Sequence, residues 1–147
     1  MDAEYNSIEF RRETVRLMCE IHNYVSFCTK ELKIDAIDWH VFSCVMYYSA
    51  KNGNMFKYND PSFDKNIEIS HGAINAKSIY LTLGMPRETV RRRLKYLESR
   101  GFIIKVKNGY AMVPQFVSGD HTENMRKYFF SIINREIVRV EDVMTQP

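Results

Sequence analysis

The chain has 147 residues, of which 45% are hydrophobic and 13% aromatic, and this composition predicts a folded globular protein rather than a disordered one. Its charged N-terminal residues lack the apolar stretch of a signal peptide, and the longest nearly apolar run, VFSCVMYY, is too short to span a bilayer. Three cysteines at wide spacing, with no C-x-x-C pair, indicate reduced thiols. We therefore expect a cytoplasmic protein.

The net charge of +3 is distributed unevenly along the chain. Residues 86–107 contain eight Lys and Arg against two Glu, so this segment carries +6 while the other residues sum to −3. A basic segment of this kind is the electrostatic footprint expected of a nucleic-acid-binding surface. A solvated basic helix face is the alternative interpretation, and charge alone does not separate the two.

Two long helices are predicted in the first third of the chain. Asn6 and Glu9 have the spacing of a capping box, which opens a first helix that extends to about Leu32. Asp35 is placed to cap the second helix, AIDWHVFSCVMYYSAKNG, which is apolar on most faces and is expected to be central. A long connection, 53–72, follows. An apolar stripe runs along the first helix: Val15, Met18, Ile21, Val25, Cys28 and Leu32.

A pair of helices with a very short turn is predicted after this connection. Helical periodicity resumes over AKSIYLTL, and Gly84 ends that helix because a left-handed C′ residue is least costly as glycine. Pro86 suits the first turn of the next helix, 86–100. Since only Gly84 and Met85 separate the two helices, they must turn sharply against each other, which is the helix-turn-helix pattern.

A β-hairpin and a last helix complete the predicted elements. Gly101 closes the arginine-rich helix, and Asn108-Gly109 lies between two β-prone runs, which is the strongest short-range signal for a hairpin turn. Asp120 and Glu123 are placed to cap the final helix. That helix carries a second apolar stripe: Met125, Phe129, Ile132, Ile133, Ile137 and Val140.

This order of elements resembles the winged helix-turn-helix regulators of bacteria and archaea, such as the MarR, IclR and GntR types. The matching residues are AKSIYLTLGMPRETVRRRLKYLESRGFIIKVKNGYAMVP. The resemblance implies a mainly α fold of the α+β kind, with a winged helix-turn-helix DNA-binding domain at 35–114. Dimerisation helices are predicted at 1–34 and 115–147, because their apolar stripes exceed what one small winged helix needs to cover itself.

The implied function is that of a prokaryotic transcriptional regulator that binds double-stranded DNA as a homodimer. Helix 86–100 is the candidate recognition helix for the major groove, and 102–114 is the candidate wing on the backbone or minor groove. Val90, Leu94 and Leu97 share one helix face, which is expected to point to the core.

The resemblance also implies a set of DNA-binding residues. Arginine pairs bidentately with guanine, and glutamate accepts from the cytosine amino group. Candidates at the bases are Arg87, Glu88 and Arg91. The other candidates are Thr89 and Arg92 at phosphates, Lys95 on the outer helix face, Lys105 and Lys107 on the wing, and Lys77 and Ser78 as backbone anchors.

Each candidate has a structural alternative. Glu88 and Arg92, at i, i+4 spacing, can simply support the helix. Arg93 and Arg100 lie nearer the buried side and are expected to be ion-pair partners. A redox-sensing role for Cys19 or Cys28 is an alternative, but their positions on the apolar stripe favour buried and inert thiols.

Catalysis finds little support in the sequence. It holds no Gly-rich phosphate loop, no H-E-x-x-H motif and no nucleophile elbow. We therefore expect no enzyme activity, no metal and no cofactor, and no residue specifies an effector ligand. The alternative function is a winged-helix module that docks a partner protein within a larger complex without binding DNA. The histidines are scattered singly: His22, His40, His71 and His121.

Overall fold

The computed structural model describes residues 7–52, 72–113, 116 and 120–145, with the backbone alone at 120–121, 136–137 and 139–145. The described chain is mainly helical and contains one two-stranded antiparallel sheet. It divides into two compact units, of which one comprises residues 1–33 and 120–147 and the other residues 34–119. In chain order the elements are α1 (Ile8–Leu32), α2 (Ala36–Asn52), α3 (Ala76–Leu83), α4 (Arg87–Ser99), β1 (Ile103–Val106), β2 (Gly109–Met112) and α5 (Asp120–Thr145).

The first unit consists of α1 and α5, which pack against each other along stacked aromatic rings. The Tyr128 ring centroid lies 5.9 Å from that of Tyr24 and 4.9 Å from that of Phe27. Arg135 adds an ion pair to Glu20, with 3.4 Å between the nitrogen and oxygen atoms. The two terminal helices of the chain therefore pack against each other.

The start of α1 differs slightly from the prediction. Ser7, rather than Asn6, is the cap, because its side-chain oxygen accepts from the Phe10 backbone N–H at 3.0 Å. Both residue types cap helices well, so neighbouring candidates compete and the sequence does not rank them. The helix ends at Lys33, whose φ of 54° places it in the left-handed region.

The apolar stripe of α1 has two different environments. Cys28 and Leu32 are buried. Val15, Met18 and Ile21 are 59%, 65% and 48% exposed, respectively. The stripe therefore supplies part of the core at one end of the helix and an apolar surface at the other.

The core of the second unit is built around α2, as predicted. Asp35 caps this helix reciprocally with Asp38, because each carboxylate accepts from the backbone N–H of the other residue, at 2.8 and 3.3 Å. The Phe42 ring packs 5.6 Å from Phe102 and 5.0 Å from Phe116, measured between centroids. The other buried apolar residues of α2 are Trp39, Val41, Cys44 and Val45.

A short turn joins α3 to α4. Gly84 has φ 63° and ends α3 as predicted, and Met85 N–H donates to the Tyr80 carbonyl at 3.2 Å. Pro86 occupies the cap position rather than the first turn, so α4 begins one residue later than the predicted 86–100. The two helices pack against each other within the second unit.

The hairpin forms, but its turn is not where the sequence predicted it. Val106 pairs with Gly109, so Lys107 and Asn108 are the two turn residues and the predicted Asn108-Gly109 turn is wrong by one position. Gly109, at φ 138°, is needed for another reason. Ile74 approaches so closely that a Cβ on Gly109 would overlap its carbonyl group.

Ile74 forms a short bridge to the hairpin. Its N–H donates to the Tyr110 carbonyl and its carbonyl accepts from the Tyr110 N–H, both at 2.9 Å. This antiparallel bridge connects the segment before α3 to β2. The remainder of the predicted connection, 53–71, lies outside the described residues. Among the described helices, none is both long and apolar enough to cross a membrane.

Replacing Gly109 with alanine should destabilise the second unit by roughly 2 kcal/mol or more, because the methyl group meets backbone atoms and φ is positive. Gly101→Ala is the matched control, since its φ is also positive, at 76°, but nothing lies within 4 Å of an added Cβ. Urea unfolding, followed by the fluorescence of Trp39, the single tryptophan, measures the free energy of unfolding of both variants. Equal losses of unfolding free energy in the two variants would contradict the close approach of Ile74 to Gly109.

Candidate nucleic-acid interface

Helix α4 has one buried face and one cationic face. Val90, Leu94 and Leu97 are fully buried, as predicted from their spacing. This burial fixes the rotation of the helix about its axis, so the residues on the opposite face of the helix point outward. Arg91, Arg92 and Lys95 are exposed on the opposite side, and Arg87 is exposed in the first turn of the helix.

Glu88 lies among these cations and pairs with Arg91. The Arg91 Nε donates to Glu88 Oε2 at 2.9 Å, and Nη2 donates to Oε1, which gives a two-bond fork. The hydrogen bond from Arg91 lowers the pKa of the Glu88 carboxyl, and the charges of Arg91, Arg92 and Lys95 lower it further. The sequence suggested an i, i+4 pair of Glu88 with Arg92, but Glu88 pairs with Arg91 at i, i+3.

Arg93, on the same helix, is turned inward. Its Nη1 donates to Asp35 Oδ2 at 2.7 Å and to Asp38 Oδ1 at 3.2 Å, so it joins α4 to the start of α2. Burial opposes charge on both Asp35 and Arg93, but their hydrogen bonds outweigh it, so the pKa of Asp35 is lowered and that of Arg93 is raised. The predicted ion-pair role of Arg93 is confirmed.

Arg100 is held at the end of α4. It donates to the Tyr96 hydroxyl at 2.7 Å, and its guanidinium lies over the Phe102 ring, 5.2 Å from the centroid. Gly101 follows with φ 76° and closes the helix as predicted. Arg100 therefore braces the junction between α4 and the hairpin.

The hairpin brings further cations to the second unit. Lys105 and Lys107 are both exposed, and Lys107 lies in the turn. Tyr110, the register partner of Lys105, is close enough to contribute to the raised pKa of Arg91, after the larger effect of Glu88. Strand β1 of the hairpin packs against α4 within the second unit.

The remaining candidates lie at the edges of this surface. Lys77 is exposed near the start of α3, whereas Ser78 and Thr89 are half-buried. Asn75 caps α3 by accepting from the Ser78 N–H at 2.8 Å, a role that the sequence reasoning did not assign. An Asn immediately before a periodic apolar segment is the signal that would have identified it.

The cysteines divide between surface and core. Cys19 is exposed, which corrects the expectation that it is buried. Its position at the edge of the stripe, beside the exposed Val15 and Met18, accounts for the difference. Burial raises the pKa of the Cys28 and Cys44 thiols, which disfavours their thiolate forms. Over the residues that the structure describes, no group of three His, Cys, Asp or Glu side chains is arranged to hold a metal ion.

Comparisons of the chain with protein-family models, with curated proteins and with solved structures give no match.

Arg93→Gln should lower the free energy of unfolding by roughly 2 kcal/mol at pH 7, because it leaves the buried Asp38 carboxylate without its cation. The stabilisation through Asp35 is present above its unfolded pKa of about 3.9 and is lost as pH falls through the lower folded value. The deficit should therefore be constant from about pH 7 to 5 and shrink below about pH 4.

Urea unfolding at several pH values measures the decrease in unfolding free energy caused by Arg93→Gln. Arg92→Gln is the matched control, since Arg92 is the exposed neighbour on the same helix and its loss should change stability by less than about 0.5 kcal/mol. A deficit that is the same for both variants, or that does not depend on pH, would refute the proposed anchoring of α4.

Proposed function

We propose that this protein is a sequence-specific, DNA-binding transcriptional regulator of the winged helix-turn-helix kind. In this proposal α4 enters the major groove and the β1–β2 hairpin lies on the backbone or in the minor groove. The observation that carries it is the cationic face of α4, which is exposed while the opposite face of the same helix is fully buried. A helix held in this way presents its charges as a fixed surface.

The arrangement around α4 supports the winged-helix proposal. α2, α3, α4 and the hairpin follow one another in the order typical of that fold, and α3 turns into α4 through Gly84 and Met85. The bridge between Ile74 and Tyr110 joins the segment before α3 to the hairpin. A hairpin tied to the body of the unit in this way is suited to act as a wing.

The chemistry of the exposed side chains favours DNA over a generic anion. Arg87, Glu88 and Arg91 lie in the first half of α4, the part of a recognition helix that reaches base edges. Arginine offers paired donors that match guanine, and phosphate oxygens suit Arg92 and Lys95 on the same face. Lys107 in the two-residue turn is suited to phosphate contact, because so short a turn has little depth for reading bases.

A second candidate function is a docking module for a partner protein. Leu81 on α3 is 65% exposed and Ile104 on β1 is 43% exposed, and exposed apolar side chains are typical of protein interfaces. Such a module does not need the row of outward cations on α4. We therefore prefer DNA binding to protein docking as the proposed function.

Duplex DNA should bind with a steep salt dependence, because neutralised phosphates release counterions. The observed association constant should fall on a log–log plot with a slope of about −0.9 for each phosphate contact. Lys107→Ala should weaken selected and random duplexes alike and flatten this slope by about one unit. Fluorescence-anisotropy titrations at several salt concentrations give both values. Absence of binding at low salt, or binding insensitive to salt, would favour the protein-docking alternative.

We also propose that the chain forms a homodimer through its first unit. α1 exposes Ile8, Val15, Met18 and Ile21, and α5 exposes Phe129, Phe130 and Val138. A groove of about 350 Å³ on α1 is lined by Val15, Met18, Cys19, His22 and Asn23. A two-fold pairing of identical apolar surfaces would cover them and present two copies of α4 to two DNA half-sites.

Light scattering should therefore report twice the chain mass of 17.4 kDa. The double variant Val15→Lys/Met18→Lys should shift the species to monomer, because it places charge in the proposed apolar interface. Leu81→Lys is the matched control, since Leu81 is as exposed as Met18 but belongs to the second unit. A full-length monomer, or a dimer that survives the double variant, would contradict this interface.

A further inference from the structure

Glu88 is an acidic side chain in the middle of a surface that otherwise attracts anions. Its side chain is 71% exposed and that of Arg91 is 48% exposed, yet the two form a fork instead of each contacting solvent alone. Helix support explains why such a pair is tolerated. It does not explain why the carboxylate lies on the face that carries Arg92 and Lys95.

The fork leaves Arg91 in a defined orientation. Glu88 takes the edge formed by Nε and Nη2, so the edge formed by Nη1 and the second hydrogen of Nη2 points away from the pair. An arginine that is free in solution loses conformational entropy when it is fixed against a base. An arginine already fixed by an ion pair has lost most of that entropy before binding. The free edge keeps the spacing that pairs with guanine O6 and N7.

The carboxylate also acts on phosphates. It stays ionised among Arg91, Arg92 and Lys95, and so it subtracts one charge where the DNA backbone would approach. Random duplexes attract the protein almost entirely through phosphates, whereas a preferred sequence adds base contacts. The same carboxylate therefore removes a larger share of the affinity for random DNA than of the affinity for a preferred sequence.

We propose that Glu88 is a specificity-determining residue that positions Arg91 for one guanine and weakens the hold of α4 on random DNA. This inference rests on the proposed function, because it requires α4 to face DNA. It deepens that function by assigning discrimination to a pair of side chains and not to the total charge of the helix.

The test uses the full-length protein and two duplexes. One duplex is selected by the wild-type protein from a pool of random sequences, and the other is a scrambled version of it. Titrations compare the wild type with Glu88→Gln, Glu98→Gln and Arg91→Lys. Glu98 is the matched control, because it is exposed on the last turn of the same helix and its replacement changes the net charge equally.

Glu88→Gln should bind the scrambled duplex about threefold more tightly and the selected duplex about tenfold more weakly. Its salt slope on the scrambled duplex should steepen by up to about one unit as Arg91 turns to phosphate. Arg91→Lys should lose about tenfold on the selected duplex alone, because lysine keeps the charge but not the fork. Glu98→Gln should leave the ratio of the two affinities unchanged.

The outcomes separate this inference from the proposed function. If the wild type binds neither duplex at low salt, DNA binding itself is wrong and the inference fails with it. If the wild type binds DNA without selecting a sequence, or if Glu88→Gln and Glu98→Gln change the affinity ratio equally, DNA binding stands and the role of Glu88 is wrong. A smaller ratio for Glu88→Gln alone supports the proposal.

Discussion

The burial of one face of α4 is the constraint on which the rest of the second unit depends. Val90, Leu94 and Leu97 lose all contact with solvent, and each such side chain contributes roughly 1.5 to 3 kcal/mol through the hydrophobic effect. Because they recur every three or four residues, they fix the rotation of the helix as well as its position. The cations on the opposite face, Arg91, Arg92 and Lys95, are left at the surface by geometry. The proposed DNA-binding face is thus a consequence of how the core is packed.

Arginine serves two purposes along this one helix, and the neighbouring groups decide which. Arg93 meets Asp35 and Asp38 at the start of α2, so its charge is used inside the unit. Arg91 pairs with Glu88 on its own helix, and its side chain remains at the surface. A count of cations therefore overstates the charge that is available to DNA. What matters is how many of them are tied to the body of the unit.

The sequence predicted the elements well where the signal was local. Gly84 ended α3 as expected, and the spacing of Val90, Leu94 and Leu97 identified the buried face. It failed where distant residues decide the conformation and where two local partners compete. The hairpin turn moved by one residue and Gly109 was needed for the approach of Ile74, which lies 35 positions earlier in the chain. The choice of Arg91 as the partner of Glu88 was missed because i, i+3 and i, i+4 pairs are nearly equal in energy.

The central claim is that α4 and the hairpin form the DNA-contacting surface, and an amide chemical-shift titration of the ¹⁵N-labelled protein with a short duplex tests it most directly. The account predicts shifts concentrated at Arg87–Lys95 and at Lys105 and Lys107. Little change is expected in the amides of α1 and α5, which belong to the other unit. Shifts confined to α1 and α5, or no shifts at low salt, would contradict the account.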